Sequence, residues 1–182
     1  EAAVRRMSQL GRDTEIIFCD DQSSDGTADE ILRVRASYPH KDVRLEKGPG
    51  ICKSKNVWTG FDGATGDILM ILDADLTMPP ETLPQFYEAI AKGTAEFVNG
   101  VRLVYPQEKE AMRFYNLLGN NIFNLAFSWL LSQKIKDTLC GTKVISRENY
   151  RNLAANRKYF GEFDPHSPTT TELACRTRKI RP

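Results

Sequence analysis

Five consecutive apolar residues, Ile68 to Leu72, run into Asp73-Ala74-Asp75 and then into Leu76-Thr77-Met78-Pro79-Pro80-Glu81. That pattern predicts a buried strand delivering two carboxylates at its C-terminal end. Residues two apart on a strand point the same way, so both side chains are expected to reach one point. Carboxylates held close repel each other unless a proton or a cation sits between them. The spacing leaves two readings open. One is a divalent-metal site that holds a phosphorylated substrate; the other is a polar turn after a core strand.

The flanking chain repeats the same grammar. Glu15 to Cys19 is a short apolar run ending in Asp20-Asp21, and Gln22 to Gly26 is turn-like. Thr27 is expected to cap the next helix with Glu30 as its capping-box partner, and Ile31, Leu32 and Val34 form its buried face. Val43 to Leu45 predicts a second strand and Lys53 to Ala64 a helix, stopped by Gly66. Met78-Pro79-Pro80-Glu81 opens another helix, with Leu83, Phe86, Tyr87 and Ile90 as its apolar stripe. Ala95 to Tyr105 has strand character. Met112 to Leu131 predicts a long apolar helix, whose Phe123, Phe127 and Trp129 read as core or a protein-facing surface. Lys134 to Val144 reads as loop into strand, and Arg151 to Arg157 as a short surface helix. Short apolar strands alternating with helices indicate an α/β sheet. In open sheets of this kind ligands bind beyond the carboxyl ends of strands. Both acidic clusters occupy such places, which favours the site over the turn.

Composition removes other classes. The 182 residues suit one domain, and 25 basic against 24 acidic residues give a net charge of +1, so no global signal for nucleic acid exists. The four cysteines form no CxxC pattern and read as free thiols in a reducing compartment, although four can also pair. Two histidines argue against a histidine-rich zinc centre. The opening Glu1-Ala2-Ala3-Val4 reads as helix and not as a signal peptide, and no uncharged apolar stretch reaches about 18 residues. No GxGxxG fingerprint supports a dinucleotide oxidoreductase. Gly48 to Asn56 (GPGICKSKN) lacks the Walker pattern, yet a glycine loop leading into a helix suits a phosphate.

CDDQSSDGT (Cys19 to Thr27) and GDILMILDADLTMPPE (Gly66 to Glu81) are similar to the acidic strand-end motif and the DXD strand of family 2 glycosyltransferases with the GT-A fold. GTAEFVNGVRLVYP (Gly93 to Pro106), KDTLCGTKVISRENY (Lys136 to Tyr150) and YFGEFDP (Tyr159 to Pro165) extend the resemblance. Together they resemble the branch of dolichyl-phosphate mannose synthases and bacterial polyprenyl-phosphate glycosyltransferases, over roughly residues 1–165. The resemblance implies a GT-A-like α/β domain, with a largely parallel central sheet flanked by helices. A basic tail at 166–182 departs from the pattern. The resemblance further implies that the chain begins past the family's first strand, that it is a catalytically poor fragment, and that an exposed sheet edge invites a homodimer.

For function, the resemblance implies a nucleotide-sugar donor, Mg²⁺ or Mn²⁺, and a lipid-phosphate (polyprenyl-phosphate) acceptor at the membrane surface, on a cytoplasmic, at most peripheral protein. Asp20 or Asp21 is expected at the nucleotide base or ribose, Lys53 near the donor phosphates, and Asp73 and Asp75 at the metal and pyrophosphate. Asp137 is expected on the acceptor side, as catalytic base or as a positioning group; Asp164 is a weaker candidate. Thr77 stands where close relatives often carry glutamine. Two competing readings remain. One is an inactive GT-A-like domain that only binds nucleotide; the other is a metal-dependent phosphatase.

Overall fold

The computed structural model describes residues 1–101, 122, 125, 128, 129 and 140–155. β1 (Glu15–Asp20) and β2 (Asp42–Lys47) pair in parallel, in register from Glu15 opposite Asp42 to Asp20 opposite Lys47. A parallel pair requires a crossover, and α2 (Thr27–Ser37) supplies it. Alternation along β1 sorts its side chains to two faces. Ile16 and Phe18 join Val4, Val34 and Val43, which brings α1 (Ala2–Arg6) and α2 onto one face. Ile17 joins Phe61, Ala64, Leu69, Ile145 and Tyr150, which brings α3 (Lys53–Gly63) onto the other. The result is an α/β fold with strand-helix units and helices on both faces of the sheet.

β3 (Ile68–Met70), β4 (Phe97–Asn99) and β5 (Lys143–Ser146) form a second sheet in the order β3-β5-β4. β5 is antiparallel to both neighbours, with Leu69 opposite Ile145 and Val98 opposite Val144, so β3 and β4 run in one direction. α4 (Leu83–Ala91), entered through a 3₁₀ turn at Pro80–Thr82, buries Leu83 and Ile90. α5 (Arg147–Ala154) brings the Tyr150 ring edge-on to Phe61 of α3, with centroids 5.1 Å apart.

The two sheets are tied together at the end of β1 that lies away from Asp20. The Glu15 carboxylate accepts from the backbone N–H groups of Thr65 and Gly66, both at 2.6 Å, and pairs with Arg44. From the other side Arg147 donates to the carbonyls of Gly66 (2.7 Å) and Ala64 (2.6 Å). The link from α3 to β3 is therefore held by charge-assisted bonds from β1 and from the first residue of α5, which are stronger than neutral ones.

Several expected boundaries move. α2 begins at Thr27, with left-handed Gly26 as its N-cap and no side-chain cap bond; Asp25 before it accepts from the Thr27 N–H (3.1 Å) and hydroxyl (2.5 Å). Glu30 forms no capping box; its carboxylate binds Arg33. β3 stops at Met70, although the Ile71 N–H still donates to Lys143 O at 2.9 Å. α5 starts at Arg147 because Ser146 caps it, accepting from Asn149 N–H at 3.2 Å. Of the long apolar segment, residues 122, 125, 128 and 129 are helical, and Trp129 is 83% exposed, which overturns a core position for it. Phe123 and Phe127 lie outside the described residues. No helix of the described residues is long and apolar enough to cross a membrane.

Candidate functional site

β1 ends in Asp20, which is buried and turned onto its own loop: its carboxylate faces the Ser23 N–H at 3.3 Å, and its carbonyl accepts from Gly48 N–H at 2.7 Å. Asp21, one residue on, reaches across to the loop after β2, where its Oδ1 accepts from Gly50 N–H at 2.7 Å. Two glycines make this approach possible. A Cβ at Gly48 would lie 2.6 Å from Asp21 Oδ1 and against Asn56. Gly50 has φ +71°, and a Cβ there would meet the Gln22 amide at 2.7 Å. Asn56, from α3, completes the join by donating to Cys19 O at 2.8 Å. The loops after β1 and β2 are thereby fastened to each other. Beneath them the Cys19 thiol is pushed up, first by burial and then by the nearby Glu46 carboxylate, and is a packing group against Gly60.

The same β2–α3 loop leads to Lys53, the first residue of α3, whose Nζ lies 2.6 Å from Asp73 Oδ1. Asp73 also lies hard against Gly141: a Cβ built there would be 2.5 Å from Asp73 Cγ and closer still to one carboxylate oxygen. Asp75 is held differently, its Oδ1 accepting from Thr77 N–H at 3.0 Å. Both aspartates sit in a turn closed by Leu76 N–H to Asp73 O (3.0 Å), beyond the end of β3. The strand-alternation argument for their shared direction therefore fails. The turn replaces it, and each carboxylate has its own partner.

Among the described residues, only Gln22 (φ 68°) and Leu76 (φ 53°) are non-glycines with left-handed backbone. Each directly follows a site aspartate, Asp21 or Asp75. Such conformations cost roughly 1–3 kcal/mol and concentrate at functional loops.

Three candidates thus form one row: Asp21, bound to Gly50, leads through the loop to Lys53 and to Asp73, which lies against the Gly141 backbone. Asp20 closes a turn. Asp137 and Asp164 lie outside the described residues. Sequence reasoning did not single out Gly141 or Lys143. Lys143 is 6% exposed, and its ammonium donates to Cys140 O in the segment that presses on Asp73. Glycine and lysine carry no spacing signal; only the proximity of β5 to β3 reveals them.

No group of three or more His, Cys, Asp or Glu side chains among the described residues stands ready to hold a metal. Asp73 and Asp75 nevertheless suit Mg²⁺ or Mn²⁺, hard ions that commonly take one or two carboxylates and fill their shell with phosphate oxygens and water. The Lys53 ammonium on Asp73 marks that carboxylate as already attracting a cation.

Comparison with known proteins adds an independent line. The chain is 37% identical over 108 residues to the dolichol-phosphate mannosyltransferase of Pyrococcus furiosus, covering 59% of this chain and 30% of that protein. It is 40% identical over 96 residues to the undecaprenyl-phosphate 4-deoxy-4-formamido-L-arabinose transferase of Pectobacterium carotovorum, covering 51% and 28%. A dolichol-phosphate mannosyltransferase of Saccharomyces cerevisiae is 35% identical over 83 residues, 45% of this chain and 30% of that protein. The matched part thus spans under a third of the length of these curated relatives. The family model described as Glycosyl transferase family 2 matches residues 2–154. The chain belongs to glycosyl transferase family 2.

Proposed function

We propose that this chain forms the donor-binding part of an enzyme that transfers a sugar from a nucleotide-sugar to a lipid phosphate. The supporting observation is the row itself: one glycine loop joins the acidic end of β1 to the acidic turn after β3. Asp21 is assigned to accept from a ribose hydroxyl or a base N–H. Asp73 and Asp75 would hold Mg²⁺ or Mn²⁺, which would supply neutralisation of the donor diphosphate. An acceptor phosphate oxygen is already ionised near neutral pH, so it attacks the anomeric carbon without a strong base. The bond from that carbon to the diphosphate breaks, and the diphosphate leaves with the electron pair. Orientation and charge neutralisation carry the rate in such a reaction. Asp137 is assigned to the acceptor side, and the lipid stays in the bilayer while the chain approaches from the cytoplasmic face.

The test supplies polyprenyl phosphate, a panel of nucleotide sugars and Mn²⁺, and follows the products. Release of nucleoside diphosphate with glycosylated lipid is the expected result. Release of inorganic phosphate would replace this reading with a phosphatase. Asp75→Asn is expected to abolish the strengthening of nucleotide binding by metal; unchanged coupling would remove Asp75 from the site. The second reading is a domain that binds nucleotide without transfer. Metal-coupled nucleotide binding with no transfer would select it.

A further inference from the structure

The Lys53–Asp73 pair is unequally held. Asp73 is fixed by its turn and by the Gly141 backbone, and its side chain is 30% exposed. Lys53 is 67% exposed on a flexible four-carbon stem. An ammonium and a divalent cation cannot share one carboxylate face, because at contact distance like charges repel. A cation that takes Asp73 therefore displaces Lys53, and the lysine, not the aspartate, moves. Its stem allows this without unwinding α3.

We infer that Lys53 is a built-in counter-cation: it competes with a divalent ion for Asp73 and, once displaced, passes to the phosphate anion that accompanies that ion. The inference rests on the proposed donor site but adds a sign rule to it. A bare cation drives the ammonium off its partner and leaves it unpaired beside two positive charges. A cation arriving with a diphosphate gives the ammonium a new and stronger partner, since charge-assisted bonds to phosphate oxygens are favourable. Lys53 therefore weakens binding of the metal alone and strengthens binding of metal and diphosphate together. Linkage makes this reciprocal: the metal raises diphosphate affinity by the same factor as the diphosphate raises metal affinity.

The test measures Mn²⁺ binding by electron paramagnetic resonance and UDP or GDP binding by calorimetry. It uses the wild type, Lys53→Gln, and Lys53→Gln combined with Asp73→Asn. Thermal unfolding of each confirms the fold. Lys53→Gln is expected to bind Mn²⁺ alone about fivefold more tightly, the most that an exposed pair of this kind supports. The gain should shrink as ionic strength rises and vanish when Asp73→Asn is added. In saturating Mn²⁺ the same variant is expected to bind UDP or GDP more weakly than the wild type. Mn²⁺ affinity unchanged or reduced in Lys53→Gln, while UDP or GDP still strengthens Mn²⁺ binding to the wild type, would overturn the inference and leave the proposed function standing. A gain with Mn²⁺ alone and unchanged diphosphate affinity would overturn the transfer to phosphate. Mn²⁺ binding to neither protein, with or without diphosphate, would overturn the proposed site and this inference with it.

Discussion

Gly141→Ala separates stability from function at the candidate site. Gly141 does not have a left-handed backbone, so alanine is allowed there and the strain is purely one of space. Carbon atoms in ordinary contact lie about 3.5–4.0 Å apart, and the new Cβ would stand 2.5 Å from Asp73 Cγ, so the carboxylate must retreat by about 1 Å. Asp73, otherwise held in place, is forced by the new Cβ off its rotamer, at a strain of about 0.5–1.5 kcal/mol. Alanine also lowers the entropy of the unfolded chain, which returns about 0.4–1 kcal/mol where the backbone is compatible. Stability is therefore expected to change by less than about 1 kcal/mol, or about 2–4 °C in Tm. The effect on the site is larger, because a misplacement of about 1 Å can cost about 10²-fold in rate. Differential scanning calorimetry and titration of UDP or GDP with and without Mn²⁺ give both readings. The expected outcome is a near-native Tm with metal coupling reduced to the level of Asp73→Asn, and no further loss in the double variant. Full metal coupling in Gly141→Ala would refute the placement of Asp73 at the cation.

Three further outcomes test the framework around the site. The Arg6 side chain donates to Glu81 at 2.7 and 2.8 Å and, with the backbone N–H of Glu81, holds that carboxyl at about 2, below its ordinary 4.5. A depressed carboxyl stabilises the fold above pH 4.5 and loses that contribution as pH falls toward 2. The Tm difference between wild type and Glu81→Gln should thus be flat from pH 7 to 5 and narrow below 4.5; a constant gap would count against the pair. Tyr150→Phe keeps the edge contact with Phe61 and loses the 2.8 Å bond to Asp62 Oδ1, so a Tm lower by about 2–4 °C is expected, for about 1 kcal/mol. Lys41 donates to the carbonyls of Val4 and Met7 (the latter at 3.0 Å), which the end of α1 leaves open, so Lys41→Met should speed tryptic cleavage at Arg5 and Arg6.

The layers were legible because burial imposes period and length. Ile16 and Ile17 go to opposite faces of one strand, and Leu83 and Ile90 to one face of a helix, as alternation and helical spacing require. Edges were less legible where a side chain decides them. Thr27 does not cap α2: left-handed Gly26 does, and the Asp25 carboxylate takes both the N–H and the hydroxyl of Thr27. Ser146 starts α5 four residues before the expected Arg151 by the same kind of local bond. The ties of Glu15 and Arg147 to the 64–66 link were not legible at all. They join residues about 50 and 81 positions apart, and no window of sequence contains both partners.

At the candidate site the sequence-based reason for bringing Asp73 and Asp75 together was wrong. Strand alternation placed them together, yet β3 ends at Met70 and a turn with left-handed Leu76 carries both. What makes that turn a candidate site is not its own spacing. It is that the loop after β2, already fastened to Asp21 through Gly50, reaches Asp73 with Lys53, while the segment just before β5 brings a residue without a side chain against the same carboxylate. Each contact comes from a different segment of the chain. An aspartate so placed would exchange one cation for another without moving its backbone, which is the property the proposed donor site for a charged diphosphate requires.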